Sequence, residues 1–253
     1  MLSHILITGA SRGIGATLAK IYSKKGVHLS LFGRQLSELE RVANECRALQ
    51  STVSLYTIDV TQTELLQKTL HDIDTEKPVD LVIANAGITH YLTDDNLESW
   101  HDTKTVLDIN VIGALATVSP FIQTMRQRKQ GQIALISSMT AFYGLPMCPT
   151  YSASKSAIKT YGEALRGLLS TEKIKVSVIF PGFVQSNMSE QFLCNKPFLL
   201  TTDKAAQLIK TGLEKNKARI TFPFLLGIGM KCLSMLPCFM VDFILLKLGY
   251  NTN

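Results

Sequence analysis

Short β-branched apolar runs alternate with longer amphipathic stretches along most of this chain. Ile5-Leu6-Ile7 reads as a strand and 13–25 as a helix. Residues 27–32 form a second run, followed by a helix capped by Ser37 that carries Leu39, Val42, Cys46 and Leu49 on one face. A strand at 53–58 and a helix at 63–73 come next. Leu81-Val82-Ile83-Ala84 is apolar without a break, as expected for a strand covered on both faces. A long helix at 99–125, a strand at 133–137, a helix at 150–169 and a strand at 176–180 complete the series. Strand–helix alternation at this period predicts right-handed crossovers and an α/β, doubly wound parallel sheet.

The pattern changes at 222–248, which is apolar almost throughout. Lys231 and Asp242 interrupt it and Pro223 and Pro237 break it, so no stretch reaches the roughly 18 uncharged residues of a spanning helix. Two short helices, one on each side of Pro237, are expected. They could cover a pocket, join two subunits, or lie in a membrane surface.

At 253 residues, with 46% hydrophobic and 18% charged positions, the chain is long enough for one large core. The net charge of +6 is spread thinly, with no basic stripe carrying interleaved aromatics, so nucleic acid is not an expected partner. Five cysteines (46, 148, 194, 232 and 238) form no CxxC pair, and the five histidines lack ligand spacing. Free thiols in a cytoplasmic setting, no metal and no leader peptide are therefore expected.

Between the first strand and the first helix lies Thr8-Gly9-Ala10-Ser11-Arg12-Gly13-Ile14-Gly15. Glycines at a strand-to-helix turn let backbone approach a pyrophosphate, and the helix then aims free N–H groups at it. Three glycines alone would mean little; at the end of an N-terminal strand they mark a dinucleotide site. The second strand ends Leu31-Phe32-Gly33-Arg34, without the acid that would bind a ribose 2′-hydroxyl. Arg34, with Arg12 beside it, suits a 2′-phosphate, which favours NADP(H) over NAD(H).

Tyr151 and Lys155 stand four residues apart on one helical face. Protonating a nascent alkoxide at neutral pH needs a tyrosine whose pKa is drawn down, and a neighbouring ammonium does this.

The spacing Thr-Gly-x-x-x-Gly-x-Gly together with Tyr-x-x-x-Lys resembles the compact, single-domain branch of the short-chain dehydrogenase/reductase family. The resemblance implies a Rossmann-like fold in which Thr8, Gly9, Ser11, Arg12, Gly13, Ile14 and Gly15 hold the pyrophosphate. It implies adenine-side contacts from Asp59 and Val60, and a cofactor wall from Asn85, Ala86 and Gly87. It implies a tetrad in which Ser138, ending the fifth strand, orients the carbonyl and Asn110 holds a relay water. Tyr151 would donate the proton, and Lys155 would tune it and hold the ribose. Pro181, Gly182, Val184 and Ser186 match the family's Pro-Gly-x-Val-x-Thr, which holds the carboxamide, with Ser in place of Thr. The matched motifs run from Thr8 to Ser186.

The organisation expected is one domain over 1–253. Residues 1–186 are the cofactor-binding and catalytic core, 187–221 a substrate lid with the last helix and strand, and 222–253 an apolar extension. The expected activity is NADPH-dependent reduction of a hydrophobic ketone or aldehyde. Alcohol oxidation and a non-enzymic NADP sensor or scaffold are the alternatives. The resemblance further implies a homodimer or homotetramer. A peripheral membrane contact through 222–248 would modify the cytoplasmic expectation.

Overall fold

A computed structural model describes residues 2–90, 97–190 and 196–250. Phe192, Leu193 and Cys194, within the expected lid, lie outside the described residues.

Seven parallel strands run in the order β3-β2-β1-β4-β5-β6-β7. They are β1 His4–Thr8, β2 His28–Gly33, β3 Thr52–Thr57, β4 Leu81–Ala84, β5 Gly131–Ile136, β6 Ile174–Pro181 and β7 Arg219–Phe222. The central strands β2, β1, β4, β5 and β6 are buried almost throughout, the edge strands β3 and β7 only in part, and alternate residues feed two separate cores. Ile5 and Ile7 pack with Leu18, Leu31 and Ile209 on one face. Leu6 packs with Val82, Phe121 and Ile133 on the other. The helices between them are α1 Gly13–Tyr22, α2 Leu36–Ala48, α3 Thr63–Glu76, α4 Trp100–Leu107, α5 Ala114–Arg128 and α6 Pro149–Leu168. After β6 come α7 Asn187–Glu190, α8 Thr202–Glu214, α9 Phe224–Leu233 and α10 Cys238–Lys247.

The chain adds strands outward from β1 through β2 and β3, then returns to place β4 on the other side of β1. The connections leaving β1 and β4 thus diverge to opposite faces and open a crevice at their carboxyl ends, where open α/β sheets bind ligands.

The structure moves several expected boundaries. Ser37 does not cap α2; Gln35 precedes the helix without a side-chain bond, and Ser37 is its second residue. The first helix stops at Tyr22 because the chain turns at Lys24 to Gly26, with Gly26 at φ +84°. β5 ends at Ile136, two residues before Ser138, whose hydroxyl instead caps the short turn Met139–Ala141 by accepting from the Thr140 N–H at 3.2 Å. The long helix extends from Trp100 to Arg128 but is wound as a π-helix over Asp108–Gly113. By length and composition it could cross a membrane, yet Val106, Val118, Phe121 and Met125 bury it in the core.

Candidate active site

Close backbone approach builds the turn after β1. Gly9 has φ +65°, and a Cβ there would lie 2.8 Å from Ala86 Cα; one on Gly15 would lie 2.2 Å from the Gly9 carbonyl oxygen. Only residues without side chains fit. Asn85, following β4, holds the turn in place. Its amide donates to the carbonyls of Thr8 and Gly9, both at 3.0 Å. The Thr8 hydroxyl accepts from the backbone N–H of Asn85 at 3.1 Å and of Ala86 at 3.3 Å. Thr8 and Gly15 therefore brace the loop from behind, while Gly9, Ser11, Arg12, Gly13 and Ile14 line the cavity.

The second half of the crevice is organised by α6. Lys155 is buried and donates to the Ile136 carbonyl at 3.1 Å, with its ammonium 5.6 Å from the centre of the Tyr151 ring. Burial lowers its pKa to about 8. Tyr151 is buried as well; desolvation drives its pKa up, and a hydrogen bond with Ser138 opposes this in part. Ser137, next to Ser138 in the chain, donates its hydroxyl to the Lys155 carbonyl at 2.7 Å. That bond locks the helix turn that carries the lysine and leaves Ser138 for the tyrosine.

Asn110 sits inside the π-helical segment, a widening often found at functional sites. Its side chain accepts from the Ile88 N–H at 2.8 Å and donates to the Ile88 carbonyl at 2.9 Å and to Ser154 Oγ at 3.0 Å. It does not line the cavity directly. It ties the segment after β4 to α6, and a Cβ on Gly87 would stand 3.1 Å from its Oδ1 and 3.3 Å from Lys155 Nζ.

These pieces converge on one cavity of about 1040 Å³, which Asp59, Val60, Asn85, Ala86, Gly87, Ser138, Tyr151, Lys155, Pro181, Gly182, Val184 and Ser186 also line. Residues 3–196 match the family of short chain dehydrogenases. This chain is a member of that family.

An uncharacterized oxidoreductase of Myxococcus xanthus is 34% identical over 92% of this chain and 92% of its own. The 11-beta-hydroxysteroid dehydrogenase-like 2 of Arabidopsis thaliana is 33% identical over 87% of this chain and 73% of its own. Among solved structures, a short-chain dehydrogenase from Sphingobium yanoikuyae in complex with NADPH superposes with a TM-score of 0.80 at 20% identity, covering 94% of this chain and 97% of its own. One from Mycobacterium paratuberculosis, bound to NAD, does so at 0.73 and 22% identity, covering 86% and 94%. The chain is thus an oxidoreductase of the short-chain dehydrogenase family that uses a nicotinamide cofactor.

Two features of this short-chain dehydrogenase were not foreseen. At the end of the cavity beside β2, a Cβ on Gly33 would come 2.4 Å from Ser11 Oγ. Arg34 is exposed, 3.9 Å from Asp59. Glu38, in the first turn of α2, also lines this end but lies 3.7 Å from Arg41, whose guanidinium donates to the Ser11 carbonyl at 3.3 Å. The sequence offered no signal for Glu38 and Arg41, since they face the loop only once α2 is docked. Ser186 is the second surprise. Its hydroxyl donates to the Val184 carbonyl at 3.3 Å and accepts from the Ser189 N–H at 3.2 Å, opening α7.

Proposed function

We propose that this enzyme reduces the carbonyl of a hydrophobic ketone or aldehyde, with NADPH preferred over NADH. The carrying observation is the juxtaposition of the Tyr151 hydroxyl, Ser138 and the Lys155 ammonium on the wall of a cavity whose other end is apolar. Leu145, Leu226, Met230, Leu233, Leu245 and Leu248 line that end. A relative bearing a hydroxysteroid dehydrogenase name fits the same substrate class.

When bound, the nicotinamide supplies the hydride. Tyr151 gives its phenolic proton to the carbonyl oxygen, which Ser138 polarises by a second hydrogen bond. Lys155 offsets the charge left on the phenolate, and Asn110 anchors the relay by fixing Ile88 against α6. Desolvation raises the pKa of Tyr151, so the resting residue carries its proton. That is the form in which the residue can donate, and the downward pull expected from a neighbouring ammonium is outweighed by burial. Arg12 and Arg34 would take the 2′-phosphate and Ser186 the carboxamide. Residues 187–221 would serve as the lid, since Met188, Ser189 and Pro197 reach the cavity. Residues 1–186 would be the core and 222–253 an appended segment. Half-exposed Ile112 and exposed Leu168, on the two long helices, suit a homodimer or homotetramer. Cys46, Cys232 and Cys238, which form no disulfide among the described residues, suit the cytoplasm.

Titration with NADPH and then NADH, followed by nicotinamide fluorescence, tests the cofactor assignment. A preference of tenfold or more for NADPH, about 1.4 kcal/mol, is expected. Preference for NADH would overturn the 2′-phosphate reading. Binding of both cofactors without reduction of any member of a panel of aryl and long-chain ketones would overturn the reductase reading.

A further inference from the structure

We infer that the α9–α10 hairpin is a docking face for an anionic lipid bilayer. This goes beyond the proposed reaction and does not depend on it.

The two helices are apolar on more than one side. Inward, Met230 and Leu233 of α9 and Val241 and Leu245 of α10 pack with Leu145 and Met147. Outward, Phe224 is 72% exposed, Met235 83%, Phe239 73% and Phe243 58%. A helix this apolar all round needs a second apolar surrounding, and water supplies none. The hairpin is too short to span a bilayer, as each helix has only ten residues. It suits an interfacial seat, with aromatic side chains at headgroup depth.

Charge decides between a bilayer and a second copy of the chain. Residues 196–250 hold eight Lys or Arg against three Asp or Glu, a net of +5 out of the chain's +6. Spread along the sequence these cations read as scattered, but the fold gathers some of them. Lys217 and Lys231, with Arg219 already paired to Glu163 at 2.8 Å, ring a shallow cavity of about 280 Å³ that Phe224 and Ile228 also line. Lys231 lays its ammonium 5.3 Å above the Phe142 ring, and Lys247 lies 4.8 Å from that of Phe243. A two-fold contact between copies would set this cationic rim near its own image. Anionic headgroups neutralise it while the aromatic residues enter the acyl boundary.

The test is sedimentation of the full chain with vesicles of phosphatidylcholine alone and with about 30 mol % phosphatidylserine added. Partitioning into the anionic vesicles is expected to be at least about tenfold stronger, and to weaken as salt shortens the screening length from ~10 Å at 0.1 M to ~3 Å at 1 M. Phe239→Ser with Phe243→Ser should abolish it while leaving the thermal midpoint within a few degrees, which separates lost docking from lost folding. Lys217→Gln with Lys231→Gln should remove the preference for anionic vesicles. A full chain that stays in the supernatant with both vesicles overturns the inference. So does a phenylalanine double variant that sediments unchanged. If that variant instead halves the mass seen by light scattering in the absence of lipid and leaves partitioning unchanged, the face joins two copies of the chain. Vesicle binding is read without turnover, so it can fail while the reductase assignment stands, and the converse also holds.

Discussion

At the scale of single residues, burial opposes the chemistry until charge and hydrogen bonds answer it. Tyr151 is held protonated by desolvation, opposed by the Ser138 bond, and the Lys155 ammonium lies 5.6 Å from the centre of its ring. Tyr151→Phe removes the proposed proton donor and should lower kcat by about 10²–10⁴-fold, the span general acids contribute, with NADPH binding kept. Fluorescence titration beside steady-state kinetics separates the two. Lys155, with its pKa brought down to about 8, is charged below that value and neutral above it. The kcat/KM for reduction should therefore fall as pH rises through about 8, and a flat profile to pH 9.5 would count against the ammonium's role. Glu98 has a comparable, unforeseen part. Its carboxylate accepts from the Thr150 N–H at 3.1 and 3.2 Å and from the Thr150 hydroxyl, capping α6 one residue before Tyr151. Glu98→Gln should cost about tenfold in kcat, or 1.4 kcal/mol, with little change in NADPH affinity. One cavity wall holds Tyr151, Lys155 and Ser138 together; the Tyr151–Lys155 pair was legible from its spacing on one helical face, and Ser138 from the family resemblance. Glu98 was not, because it meets α6 only after a chain separation of 52 residues is closed.

At the scale of elements, hydrophobic period located each strand and helix of the sheet's core, since burial on two faces leaves little room for other residues. It missed what depends on side-chain capping and on helix winding. The π-helical turn at Asp108–Gly113 has no signature in apolar spacing, yet it carries Asn110. Ser37 looked like a cap by residue type, but α2 starts before it. Elements are also fastened by polar pairs that periodicity does not show. Asp74, near the end of α3, accepts two bonds from the Arg128 guanidinium at 2.9 and 3.1 Å and one from the Val79 N–H at 2.8 Å. Arg128 in turn reaches the Val79 carbonyl at 2.7 Å, so α3, α5 and the entry to β4 share one knot. Asp74→Ala leaves a half-buried guanidinium and a buried N–H without partners and should destabilise the fold by about 3 kcal/mol, measurable by urea denaturation. Ser177 in β6 presents the opposite case. It is fully buried and its hydroxyl has no partner among the described residues, so Ser177→Ala should leave stability unchanged or raise it by up to about 1 kcal/mol.

At the scale of the whole molecule, the sheet separates its functions between two ends. The cofactor loop and α6 meet at the carboxyl ends of the strands, while a histidine pair lies at the amino ends of β1 and β2. His4 is buried, with Nδ1 donating to the Lys77 carbonyl at 2.9 Å and Nε2 accepting from Ser30 Oγ at 2.8 Å, an arrangement that belongs to the neutral ring. The His28 ring meets it edge-on at 4.7 Å and contacts Thr52 and Ser54. Desolvation lowers both pKa values, that of His28 to about 4; the charge of Lys77 adds to the effect at both rings, and that of His4 adds to it at His28. Asp80, Asp74 and Glu76 pull the other way but do not prevail. A histidine depressed in the folded state binds its proton more readily once unfolded, so its stabilising effect is complete above the unfolded value near 6.5 and is lost as pH falls toward 4. Asp74 and Asp80, also depressed, act in a lower window, losing their contribution only below about 3.8. The thermal midpoint should thus fall by about 5 °C between pH 7 and pH 4.5. His28→Gln, which keeps a polar side chain between Thr52 and Ser54 but cannot charge, should flatten that slope while changing the midpoint little at pH 7. Equal slopes in the two proteins would assign the acid sensitivity to the carboxylates instead. Because the pair sits away from the cavity, NADPH affinity measured between pH 5 and 7 at low temperature should not follow the same curve.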